Sequence, residues 1–200
     1  QLQKNKTPPK QHKVTRPHQN IVMAHQNIDG IKNKIERLTH FLHSHNPEIL
    51  ILTEHGLNSA NLENIRIPEY ELIGGFTRTQ HKKGGVAIFN NKNLKSKVSI
   101  VSISDSTSEM ICESITLKIN LKNCFLYLVG VYRPPHSNLE NAIDTLSTEL
   151  DKIPNPNNPI VIMGDINVDN LTDSQESQSL MEALEGFNIK RLKLTPTRIT

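Results

Sequence analysis

The chain has no apolar run long enough to cross a membrane, no signal peptide at its start, and only two cysteines. Two cysteines make neither a disulfide framework nor a zinc site. Cys112 and Cys124 sit inside apolar, strand-like runs and are expected to be small core residues of an intracellular protein in a reducing compartment. A broad excess of one charge is missing too. The formal net charge is +3, but Lys4, Lys6, Lys10, Lys13 and Arg16 fall within the first 19 residues, which hold no acid. The remainder carries 18 basic against 20 acidic residues, so it is not a generally basic surface. Any affinity for nucleic acid must come from a local patch or from the tail acting as a polycation. Residues 1–19, with three prolines and no periodicity, suit a basic disordered tail or linker. Residues 20–200 suit one domain with a real core. Gln1 at the first position suggests a piece of something longer.

What is present is an alternation of strand and helix patterns. Residues 21–24 (IVMA) and 48–53 (EILILT) have the composition of strands. Between them, Ile31, Ile35, Leu38 and Leu42 mark one face of a helix over 31–45, which Pro47 ends. Strands are expected at 70–75, 84–89, 97–103, 109–119 and 123–132, four or five of which suit a meander. A helix follows at 139–153, then the strand PIVIM (159–163), then a helix over 175–184. A β-rich middle between β–α–β flanks suggests two packed sheets with helices outside.

The run PIVIMGDINVDN (159–170) ends a buried-looking strand on a glycine, an acid and an amide. A simple turn would account for it. So would a site, because ligands gather beyond the carboxyl ends of strands in α/β folds. Three other strand ends carry polar groups: Asn27, Glu54, and Tyr132 followed by Arg133-Pro134-Pro135. Each alone has a plain reading, as turn residue, surface acid or half-buried ring. Together they offer carboxylate oxygens to a hard cation, a second carboxylate for an attacking water, and neutral donors for phosphate. His55 and His136 are expected to be surface loop residues, and His40, His43 and His45 solvated ones.

The ordered set N-I-D-G-I (27–31), I-L-I-L-T-E (49–54), K-K-G-G-V-A-I (82–88), V-Y-R-P-P (131–135) and M-G-D-I-N (163–167) resembles the endonuclease/exonuclease/phosphatase superfamily. It looks most like the apurinic-type endonuclease domain that precedes the reverse transcriptase in non-LTR retrotransposons. The resemblance runs from about Asn20 to Thr200. It implies a four-layer αββα sandwich, two mixed β-sheets flanked by helices, with the last strands missing. It implies a DNA endonuclease using Mg²⁺, or Mn²⁺, that nicks target DNA in the nucleus and is joined to a reverse transcriptase domain. By that resemblance Glu54 holds the metal, Asp165 orients or deprotonates the attacking water, and Asn167 is its partner amide. Tyr132 faces the scissile phosphate and Asn27 lies in the floor. Arg133 is expected to be structural. The family pattern continues, after a T-P-T-R step like that at 195–198, into I-D-H and S-D-H strands; no histidine here follows His136. An inactive relic or binding module of the same fold is therefore the alternative.

Overall fold

The computed structural model describes residues 20–122, 124–154, 157–169 and 172–192. The basic tail and the T-P-T-R step lie outside these residues. The described chain runs β1 (Met23–Asn27), α1 (Ile35–His45), β2 (Ile49–Thr53), α2 (Ser59–Asn64), β3 (Tyr70–Phe76), β4 (Val86–Asn91), β5 (Val98–Ile103), β6 (Glu113–Asn120), β7 (Phe125–Tyr132), α3 (Leu139–Asp151), β8 (Ile160–Asp165) and α4 (Gln175–Glu185). Among the described residues no helix is long and apolar enough to cross a membrane.

The strands form two mixed sheets of four, in the orders β1-β2-β4-β3 and β5-β6-β7-β8. β1 and β2 are parallel, as are β7 and β8; the other pairs are antiparallel. Side-chain alternation decides how the layers stack. Ile115, Leu117 and Ile119 of β6 meet Ile49, Ile51, Val86 and Ile88 in a core between the sheets. The opposite faces take the helices. Leu38 and Leu42 of α1 and Leu62 of α2 pack on Leu50, Leu52 and Phe89. Leu146, Leu180 and Leu184 pack on Tyr127, Val129 and Val131. The result is an αββα sandwich.

Three expectations change in detail. The middle strands do not form a single meander: β3 and β4 join the first sheet and β5–β7 the second, so the chain changes sheets after Asn91. The helix expected from residue 31 starts at Ile35, because Gly30 and Ile31 donate their backbone N–H groups to the Glu54 and His55 carbonyls (2.7 and 3.2 Å) and extend the sheet ladder instead. Cys112 is buried, but Cys124 is exposed in the turn between β6 and β7. The short helix α2 was not foreseen; Asn58 caps it by accepting from the Asn61 N–H at 2.9 Å.

The parallel pairs fix the place of the site. Asn27 and Thr53 end β1 and β2 side by side, and Tyr132 and Asp165 end β7 and β8 side by side. β1 and β8 approach each other across the sandwich, so four carboxyl ends meet at one end of it.

Candidate active site

Asn27 stands at the centre. Its side-chain amide donates one hydrogen bond to Glu54 Oε1 (2.7 Å) and one to Asp165 Oδ2 (2.9 Å). Glu54 and Asp165 come from different sheets, and a single NH₂ group holds both carboxylates. Like charges this close repel, and a donor shared between them reduces that cost.

Each carboxylate has its own reason to be there. Glu54 has φ 55°, a left-handed conformation, held because its N–H donates to the Gly85 carbonyl (2.9 Å) and its carbonyl accepts from Gly30 (2.7 Å). Asp165 follows Gly164, where a Cβ would lie 1.9 Å from the Val131 carbonyl oxygen. Only glycine lets β8 run this close to β7, which is why the apolar run stops on it. Beyond it, Asn167 donates its N–H to Asp165 Oδ1 (3.2 Å) and its side-chain amide to the Arg133 carbonyl (2.7 Å). This Asx-type turn fixes the carboxylate.

Tyr132 is buried and its phenol lies beside the Glu54 carboxylate. Burial first, and then the charge of Glu54, push the phenol above its ordinary value, so it is a neutral donor. Arg133 is buried and structural: it donates to the carbonyls of Ile166 (3.2 Å), Asn167 (3.0 Å) and Ser137, locking the two site loops together. Behind Asn27, the His25 ring meets Thr53 Oγ1 at 3.0 Å; burial lowers its pKa and the Asp165 charge opposes that.

The structure thus brings Asn27, Glu54, Tyr132, Asp165 and Asn167 to one place. An open cavity of about 450 Å³ lies beside them, lined by residues 164–169 and Arg191. The donor set is two carboxylates, an amide and a phenol, and among the described residues no group of three or more His, Cys, Asp and Glu gathers. That set fits a hard divalent cation that keeps most of its waters, such as Mg²⁺, and does not fit zinc.

Two features escaped the sequence reading. His55 is not a surface residue but 1% exposed. Its Nε2 donates to the Phe76 carbonyl (3.0 Å) and its Nδ1 accepts from the Leu57 N–H (3.1 Å), and burial takes its pKa down to about 4. Arg191 joins the cavity wall, with Nη2 donating to the Val168 carbonyl at 2.5 Å. The foresight available for His55 was its place directly after Glu54; for Arg191 the sequence held no signal. His40, His43, His45 and His136 are exposed, as expected.

The fold is shared with several solved structures. The endonuclease domain of TRAS1, a telomere-specific non-LTR retrotransposon, is 14% identical with a TM-score of 0.60, covering 84% of this chain and 72% of that one. A humanized D. rerio TDP2 is 18% identical with a TM-score of 0.55, covering 80% and 70%. The Bacteroides thetaiotaomicron mannosyl-6-phosphatase Bt3783 is 16% identical with a TM-score of 0.57, covering 82% and 70%. A comparison with curated protein sequences finds no match. The sequence model of the Endonuclease/Exonuclease/phosphatase family matches residues 24–178, a stretch that contains all five of the converging polar residues, and the chain belongs to that family.

Proposed function

We propose that this domain hydrolyses phosphodiester bonds in DNA with a divalent cation, and that it nicks target DNA for a non-LTR retrotransposon. Family membership supports metal-dependent phosphoester hydrolysis as the general chemistry. The observation that carries the site is the Asn27 amide shared between Glu54 and Asp165. It gathers, from two sheets, the oxygens that metal-assisted hydrolysis needs.

A cation held by Glu54, Mg²⁺ or Mn²⁺, would supply positive charge against the phosphate oxygens. The chain's own residues do the rest. Asp165, held by the Asn167 N–H, orients the attacking water and accepts its proton. Asn27, whose two amide hydrogens go to Glu54 and Asp165, and Tyr132 beside Glu54 hold the carboxylates in place without adding negative charge near the phosphate. Asn167 keeps the Asp165 turn in register with Arg133.

DNA as the substrate is supported by two neighbours, the TRAS1 endonuclease domain and a D. rerio TDP2 complexed with a single-strand DNA product. The K-K-G-G-V-A-I and V-Y-R-P-P runs favour the retroelement branch over the phosphatase one. A reverse transcriptase domain in the same polyprotein and a nuclear site of action go with that reading. The alternative reading is a DNA-binding fold of this family without turnover.

Nicking of supercoiled plasmid with Mg²⁺ decides between them. Mg²⁺-dependent nicking that Asp165→Ala abolishes supports hydrolysis. Hydrolysis of mannose 6-phosphate but not of plasmid would overturn the DNA reading. DNA binding without any cleavage at high enzyme concentration would favour the second.

A further inference from the structure

Beneath the Glu54 loop lies a pair of charges that the functional reading leaves unused. Arg78, just past β3, and Glu113, the first residue of β6, meet at 2.5 Å from Nε to Oε1, with side chains 6% and 0% exposed. Glu113 shares the inward face of β6 with Ile115, Leu117 and Ile119. An aliphatic side chain would fit that row without desolvating a charge, and replacing a buried ion pair by apolar residues is often neutral or stabilising. Stability therefore gives no reason for the pair. One guanidinium nitrogen, Nη2, is even buried without a hydrogen-bond partner.

The contacts of the pair do give a reason, because both partners reach Glu54. The second oxygen of Glu113 accepts the Gly85 N–H at 2.6 Å, and the Gly85 carbonyl accepts the Glu54 N–H at 2.9 Å. A single residue, Gly85, separates the two glutamates. On the other side, the Arg78 guanidinium carbon lies 5.8 Å from the centre of the Tyr132 ring, and the Tyr132 phenol lies beside the Glu54 carboxylate. The double glycine makes this packing possible. A Cβ at Gly84 would stand 2.2 Å from the guanidinium carbon of Arg78, and one at Gly85 would stand 2.3 Å from Nε2 of His55.

We propose that the Arg78–Glu113 pair is a positioning device for the metal glutamate, bracing the Glu54 backbone through Gly85 and the Glu54 carboxylate through Tyr132. Glu54 needs bracing because its left-handed backbone is intrinsically unfavourable for a residue with a side chain. A carboxylate already held in place loses less freedom when it takes up a cation, so the brace acts on metal affinity before it acts on turnover. Neither Arg78 nor Glu113 touches substrate in this scheme.

The inference rests on Glu54 as the metal ligand, and the test separates the two. Mn²⁺ alone is titrated into the full chain by calorimetry, without DNA, alongside plasmid nicking. The double variant Arg78→Met with Glu113→Leu removes both charges together, so neither is left buried alone. Supporting parts of a metal site typically change affinity about 10–100-fold, and at least a tenfold loss of Mn²⁺ affinity is expected from this variant in a protein that still unfolds cooperatively. Its kcat at limiting Mn²⁺ falls while KM for DNA stays unchanged. Arg78→Lys, which keeps the charge but not the planar cover over Tyr132, binds Mn²⁺ with intermediate affinity. If the double variant does not fold, Arg78→Lys decides alone. Wild-type Mn²⁺ affinity in the folded variant overturns the brace. A wild-type chain that does not bind Mn²⁺, or a Glu54→Gln variant that binds it as tightly as wild type, overturns the metal assignment, and the brace falls with it.

Discussion

Asn27 and Asp165 are 138 positions apart in the chain, yet the amide of one donates to the carboxylate of the other at 2.9 Å across the gap between the sheets. The same NH₂ group serves Glu54 at 2.7 Å. Among the described residues, Asn27 is therefore a direct tie between Asp165 and Glu54, the two carboxylates of the proposed site. Asn27→Ala leaves two carboxylates facing each other with no donor between them. An unmade hydrogen bond at a partly buried charged group costs about 1–3 kcal/mol, so the variant should unfold at lower urea concentration than wild type. Mg²⁺ neutralises both acids and should restore part of that loss. Nicking should fall by roughly 10²–10³. Urea unfolding with and without Mg²⁺ checks the first point. A stability deficit that Mg²⁺ leaves untouched would mean that the two carboxylates do not share the cation's field.

His55 sets the acid side of the stability curve. In the folded protein burial, aided by the charge of Arg78 and opposed by the Phe76 carbonyl, lowers its pKa to about 4; unfolded, it titrates near the ordinary 6.5. Above 6.5 neither state binds the proton and stability is full. As pH falls through 6.5 the unfolded chain takes up a proton that the fold refuses, so stability is lost down to about pH 4, below which both are protonated. The gap corresponds to roughly 3 kcal/mol. His25, lowered by burial as well, tilts the curve the same way. His55→Gln starts less stable at neutral pH because it loses the Phe76 and Leu57 hydrogen bonds, but it lacks this slope. The two stability curves should converge on acidification. Curves that stay parallel from about pH 7.5 to 4.5 would show that His55 accepts its proton inside the fold.

The layers were legible in the sequence because apolar period follows from which face is buried. Leu38 and Leu42 at helical spacing, and Ile115, Leu117 and Ile119 at strand spacing, do in the structure what their intervals imply. The strand ends carrying Asn27, Glu54, Tyr132 and Asp165 were legible for a similar reason: an apolar run that stops on a polar residue. What could not be read was pairing at long range. β1 was expected at 21–24 but occupies Met23–Asn27, because His25 and Gln26 look like loop until Thr53, on another strand, satisfies the imidazole. Glu113 lies within an apolar run, a visible anomaly, yet its partner Arg78 sits 35 positions away in a stretch that reads as surface. His55 was misjudged for a similar reason: its Nδ1 partner Leu57 is two residues on, but its Nε2 partner, the Phe76 carbonyl, lies 21 positions away on another strand.

Gly164 offers the sharpest test of how the site is built. It pairs with Val131 in the parallel β7–β8 ladder, one position before Asp165 pairs with Tyr132. A methyl group there would meet the Val131 oxygen at 1.9 Å and its carbonyl carbon at 2.8 Å, both backbone atoms that cannot rotate away. β8 must then separate from β7 at the point where Asp165 is delivered to Asn27. Gly164→Ala should therefore lose about 3 kcal/mol or more. For a domain of this size that is a fall in Tm of roughly 6–12 °C. Nicking should vanish with it, because Asp165 leaves its place. Gly30→Ala is the matched control. Gly30 also has positive φ, 83°, but a Cβ there meets nothing within 4 Å. It should lose only the backbone term of about 1–2 kcal/mol and keep measurable nicking. Thermal unfolding and plasmid nicking on both variants give the comparison. If Gly164→Ala proves no less stable than Gly30→Ala, the close approach of β8 to β7 does not hold the aspartate, and the M-G-D-I-N run owes its glycine to something other than contact with Val131.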